Sequence, residues 1–222
     1  MDDILYDKYY YECYALLTLK YFWSGYKEGY ENLDKPDLQN EDANVGIEVV
    51  QALSEDEGMY RSRIIKYFGN ENYEEYIQDE IDRNNNSKSI YAIRDGHVYD
   101  CQDELAYDYK VHSKQILEKI QIKHEKLNRQ EDEYKLFSTN GLYVYAENQM
   151  ITINDITKLR PQIKQIAKRF VKKFNIVFIN AVDKMYIIDG ENEIQQMDFD
   201  AESLKKMHSE ALIRSEIIRI TN

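Results

Sequence analysis

The chain has 222 residues and a formal net charge of −12, with 43% apolar residues, 13% aromatic residues including 20 Tyr, and little Gly or Pro. That composition excludes a disordered or collagen-like chain and suffices for one domain with a full core, or one carrying a sizeable insertion. No apolar run approaches the roughly 20 residues that span a bilayer. The start Met1-Asp2-Asp3-Ile4 also lacks the basic n-region of a signal peptide, so a cytoplasmic protein with no membrane partner is expected.

The acidity argues against a simple nucleic-acid binder, because phosphate contacts need cations. Its distribution is uneven, however. Residues 1 to 83 hold 20 acidic and 8 basic side chains, which is the whole excess, and residues 84 to 222 hold 21 of each. Between Ile156 and Val182 there is no acid, while Lys158, Arg160, Lys164, Lys168, Arg169, Lys172 and Lys173 are basic. Such a run is either a solvated helix face or a phosphate-facing surface.

In chain order, residues 3–27 read as a helix, with Leu5, Tyr9, Leu16, Leu19 and Trp23 at spacings that mark one apolar stripe. Glu12 falls on that stripe, where a carboxylate is costly unless paired or metal-bound. A buried hydrogen bond or a different helix face accounts for it equally well. Residues 28–44 form a loop or short strands leading to Lys35-Pro36-Asp37, and residues 47–53 form a strand. Alternation puts Glu48 and Val50 on one face and Ile47, Val49 and Gln51 on the other. Asp37 and Glu48 thus lie on consecutive extended segments, an oxygen-rich arrangement suited to a hard divalent cation.

Residues 54–107 read as an insertion. Ser54 and Glu57 have capping-box spacing, a helix is expected over 71–83, and Asp95-Gly96 between apolar runs at 90–93 and 97–99 signals a β-hairpin. His97 is then a surface strand residue. Cys13 and Cys101 have no partner spacing and read as buried thiols.

A long helix is expected over 103–129, with Ile116, Ile120, Lys123 and Leu127 along one face. Lys123 therefore stands among core positions, either snorkelling its ammonium outward or serving a site. A strand over 142–146 follows. Asn154 and Asp155 can cap a turn, and Pro161 suits the first position of a helix ending near Phe174, with Ile163, Ile166, Phe170 and Phe174 inward. Strands at 176–179 and 185–188 and a last helix over 201–218 complete an α/β pattern.

The acidic helix, the Pro36-Asp37 turn and the Gly46-Ile47-Glu48-Val49 strand together resemble the core of the PD-(D/E)XK, or restriction-endonuclease-like, nuclease superfamily. The resemblance covers residues 5–53 and, more loosely, 110–190. It implies a single nuclease-like domain over 1–222: a central mixed β-sheet flanked by helices, with a helical and hairpin insertion at about 54–107. It also implies a Mg2+ (or Mn2+) site formed by Asp37 and Glu48 with Glu12 assisting, and hydrolysis of DNA, or else RNA. Where the superfamily carries a Lys two residues after the strand acid, this chain has Val50. The resemblance then makes Lys123, on a neighbouring helix, or Gln51 the residue that orients the attacking water. Two other readings are an inactive nuclease-like module and an acidic protein that occupies a basic protein partner by mimicking nucleic-acid charge through its first 83 residues.

Overall fold

The computed structural model describes residues 8–52, 90–94, 97–101, 109–129, 133–146, 151–181, 183–190 and 193–221. The chain divides into two compact units, one formed by Met1–Ala52 with Tyr109–Asn222 and the other by Leu53–Asp108.

In the larger unit helix α1 (Lys8–Phe22) precedes strands β1 (Glu31–Asn32), β2 (Leu38–Asn40) and β3 (Val45–Gln51). After the second unit come α2 (Tyr109–Asn128), β6 (Thr139–Ala146), α3 (Ile153–Lys168), β7 (Ile176–Ala181), β8 (Lys184–Asp189), β9 (Gln195–Asp198) and α4 (Ala201–Thr221). The second unit contains an antiparallel hairpin of β4 (Ile90–Arg94) and β5 (His97–Cys101), with Arg94 opposite His97. The hairpin strands expected around 90–99 are present, and the turn expected at Asp95-Gly96 lies outside the described residues. The helices expected near Ser54 and over 71–83 lie outside the described residues.

Seven strands form one mixed sheet in the order β1-β2-β3-β6-β7-β8-β9. The β3–β6 and β6–β7 pairs are parallel and the remaining pairs antiparallel. Parallel strands are covered on both faces and so carry continuous apolar runs, which is why Ile176-Val177-Phe178-Ile179 is buried throughout. On one face α1 and α4 enclose Tyr10, Tyr14, Ile47, Tyr143, Phe178 and Met207. On the other α2 and α3 enclose Ile116, Ile120, Leu142, Val144, Ile156 and Ile179. The alternation within β6 thus sends Tyr143 to one layer and Leu142 and Val144 to the other. The result is a three-layer α/β/α unit, and none of its described helices is long and apolar enough to cross a membrane.

Several local expectations need correction. The expected α1 stripe is only part of the buried surface: Leu19 and Glu12 are buried, Tyr9, Leu16 and Trp23 are half-buried and Leu5 lies outside the described residues, whereas Tyr10, Tyr11, Cys13, Tyr14 and Leu17, off the stripe, are buried. A helix sandwiched between a sheet and α4 has almost no solvent face, so spacing marks no single stripe. Pro161 does not begin α3. The helix starts eight residues earlier at a capping box, in which Thr152 accepts from the Asp155 amide at 3.3 Å and the Asp155 carboxylate accepts from the Thr152 amide at 2.9 Å. Phe170 and Phe174 lie beyond the end of α3, packed around the fully buried His124 ring. The polar edge strand β9 carries no apolar alternation, and its sequence gives no strand signal.

Gly46 is fixed by close approach. A Cβ there would lie 2.7 Å from Pro36 Cγ and closer still to the Phe137 ring. The bare backbone lets Pro36 and Phe137 pack over the face of β3 that Glu48 shares.

Candidate functional site

The site is built where β2 begins and β3 ends. Leu38 pairs with Ile47, Gln39 with Gly46 and Asn40 with Val45. Asp37 immediately precedes Leu38, and its carboxylate lies close enough to Glu48 to feel that side chain's charge. Because β2 begins only at Leu38, the Val49 amide has no ladder carbonyl there. Asp37 Oδ2 accepts from it at 2.8 Å instead, which ties the carboxylate to the strand that carries Glu48. A cis Lys35-Pro36 bond leads into this position, and the Asp37 carbonyl accepts from the Leu33 amide at 2.9 Å.

Glu48 is 4% exposed and belongs to the face covered by α2. From that helix Lys123, set one turn from both Ile120 and Leu127, donates its Nζ to Glu48 Oε1. The other oxygen, Glu48 Oε2, is buried without a hydrogen-bond partner. Val50 lies two residues on, half-buried against the α2 and α3 core, and brings no charge. The cation comes to Glu48 from the helix.

Glu12 enters from α1 and is 2% exposed. Asn32 Nδ2 donates to its Oε2 at 3.2 Å, and Lys8, one turn earlier, holds Nζ 3.5 Å from its Oε1. The same Lys8 ammonium is 3.5 Å from Asp37 Oδ1 and 3.9 Å from Asp34 Oδ1. Burial, reinforced by the Asp37 charge, pushes the Glu12 pKa up to about 7. Burial and then the neighbouring Glu48 charge raise that of Asp37, against the Val49 amide and the two lysines. Desolvation works against the Lys8 charge, but Glu12, Asp37 and Asp34 outweigh it and raise its pKa. These are signs of mutually sensed charges in a partly dry place.

One cleft of about 290 Å³ is lined by Glu12, Asp37, Glu48, Gln51 and Lys123, so the five residues singled out in the sequence share it. Gln51 belongs to the opposite face of β3 from Glu48 and reaches the cleft at the strand's end. Lys8, Lys126 and Tyr134 also line it and were missed. The Lys8-to-Glu12 spacing of four is the signal that would have found Lys8.

Among the described residues no three His, Cys, Asp or Glu side chains are grouped to hold a metal ion. Asp37 is instead the middle member of two neighbouring acid pairs, one with Glu48 and one with Glu12. A two-carboxylate cation site at Asp37 and Glu48 fits this set, since the buried Glu48 Oε2 has no donor and hard cations take such oxygens.

Comparisons with protein-family models, with curated proteins and with solved structures find no match to this chain.

Proposed function

We propose that this chain is a divalent-cation-dependent nuclease acting in the cytoplasm on DNA, with RNA as the less favoured substrate. The single observation that carries the reading is the pairing, in one cleft, of two recessed carboxylates, Asp37 and Glu48, with the Lys123 ammonium. Mg2+ or Mn2+ would be held by Asp37 and Glu48 and, when bound, would polarise the phosphate and activate a water for attack. The remaining work falls to side chains. Lys123 fixes the rotamer of Glu48 and adds positive charge where a pentavalent phosphorus would gather negative charge. Glu12, with its pKa near 7, is suited to taking up or returning a proton at its Oε1. Gln51 offers an amide to orient a water at the mouth of the cleft. The basic face of α3 supplies the phosphate contacts that the acidic first part of the chain lacks.

The test is cleavage of labelled single- and double-stranded DNA and RNA with Mg2+ or Mn2+, before and after Asp37→Asn and Glu48→Gln. Each amide keeps the side chain's shape and gives up the charge that holds the ion, so cleavage is expected to disappear while the circular dichroism spectrum is retained. A wild-type chain that cuts no substrate with either metal ends the nuclease reading. Val50, apolar where a cation is usual, favours a second reading as an inactive module that binds nucleic acid or a basic protein. Retained binding without cleavage would select it.

A further inference from the structure

Lys8 stands where a second divalent ion would stand. Two-metal phosphoryl-transfer sites place their ions about 4 Å apart and bridge them with a shared carboxylate. Here Asp37 has that shared position: one neighbour is Glu48 and the other is Glu12. The space between Asp37 and Glu12 is served by the Lys8 ammonium, 3.5 Å from an oxygen of each. The partners' side chains are only 3% and 8% exposed, while that of Lys8 is 57% exposed with its ammonium directed at the acids.

We infer that Lys8 is a built-in counter-cation that fills the Glu12 half of the site, so that the cleft takes one divalent ion, at Asp37 and Glu48. The inference rests on the metal-site reading above and specifies its stoichiometry. Four features support it. The ammonium is tethered one helical turn from Glu12, so the pair forms without recruiting anything from solution. A second Mg2+ would have to give up tightly held water to displace it. Glu12 Oε1 and Glu48 Oε2 are both buried without a hydrogen-bond partner, and the Lys8 ammonium stands 3.5 Å from the first, which leaves the second for the divalent ion. Asn32, donating to Glu12 Oε2 at 3.2 Å, occupies the other oxygen of that carboxylate and further closes this half to an ion.

The experiment is a Mn2+ titration of the full chain at pH 8, where Glu12 is ionised, followed by calorimetry and by the loss of the free-ion electron paramagnetic resonance signal. One ion per chain is expected for the wild type. Lys8→Met should bind a second ion, and Lys8→Arg, which keeps the charge, should bind one. Circular dichroism and a thermal melt confirm that both variants are folded. Two ions bound by the wild type, or one ion in Lys8→Met with unchanged affinity, would overturn the inference. No ion bound by any of the three proteins would overturn it together with the metal site. One ion in the wild type and two in Lys8→Met, with no cleavage of any substrate, would sink the nuclease reading and leave the role of Lys8 standing.

Discussion

Lys123 Nζ donates to Glu48 Oε1, joining α2 to β3 across 75 residues of chain. The two side chains are 16% and 5% exposed, so neither charge is well hydrated without the other. Removing one partner of such a pair strands the other in a poor solvent, whereas removing both strands nothing.

Lys123→Met is therefore expected to lower the unfolding free energy by about 2–4 kcal/mol, measured by urea denaturation. Adding Glu48→Gln to it should recover most of that loss, and the double-mutant cycle should be strongly non-additive. Additive effects would show that the pair does not stabilise the fold.

Glu12 ties stability to pH. Its carboxyl titrates near 7 in the folded chain against about 4.3 when unfolded. Below the unfolded value both states hold the proton and stability is unaffected. Between that value and about 7 the unfolded state has given the proton up while the folded state holds it, so stability falls across this window and levels off once pH has risen through 7. Glu12→Gln should raise the unfolding free energy at pH 8, read from denaturant melts, by roughly 2 kcal/mol allowing for solvent screening, and change it far less at pH 4.5. An equal shift at both pH values would mean that the carboxylate's ionisation is not the cause.

Gly46→Ala probes the platform under the acids. The added methyl group meets Phe137 and Pro36, and over-packing of this kind costs about 1–3 kcal/mol. Thermal melts of the single variant and of Gly46→Ala with Phe137→Leu measure it, the second being the milder if the ring is the obstacle.

The basic face is tested by salt dependence. On the nuclease reading, changing Lys164 and Lys168 on α3 and Lys172 beyond its end to Glu should abolish oligonucleotide binding. Single changes should each flatten the slope of log affinity against log salt by about one unit. Fluorescence anisotropy across a salt series reads both, and unchanged slopes would move the interface elsewhere.

The sheet's centre was legible because parallel strands must be apolar on both faces, and the runs at β6 and β7 say so plainly. Lys123 was legible for the opposite reason, a charge standing among Ile116, Ile120 and Leu127. Glu12 was also visible as a misplaced charge, although the stripe used to find it was only part of the buried surface. What the sequence hid depends on distant partners. Lys8 is an ordinary exposed lysine until the Pro36-Asp37 turn is folded beside it, and β9 becomes a strand only by pairing with β8. The start of α3 was hidden by Pro161, which looks like a beginning but sits mid-helix.

The clasp between the first and last helices governs when Glu12 joins the other two acids. Tyr10 hydrogen-bonds His208, whose ring also stacks on Tyr14 at 4.5 Å, a connection spanning 198 residues of chain. During synthesis α1 has no outer wall until the His208 region has left the ribosome and coiled. The sheet, with Asp37 and Glu48 already close, can pair earlier, leaving Lys8 and Glu12 in water. The cleft is thus completed late, and a nascent chain keeps Glu12 and Lys8 apart from the Asp37 and Glu48 pair until the final helix docks.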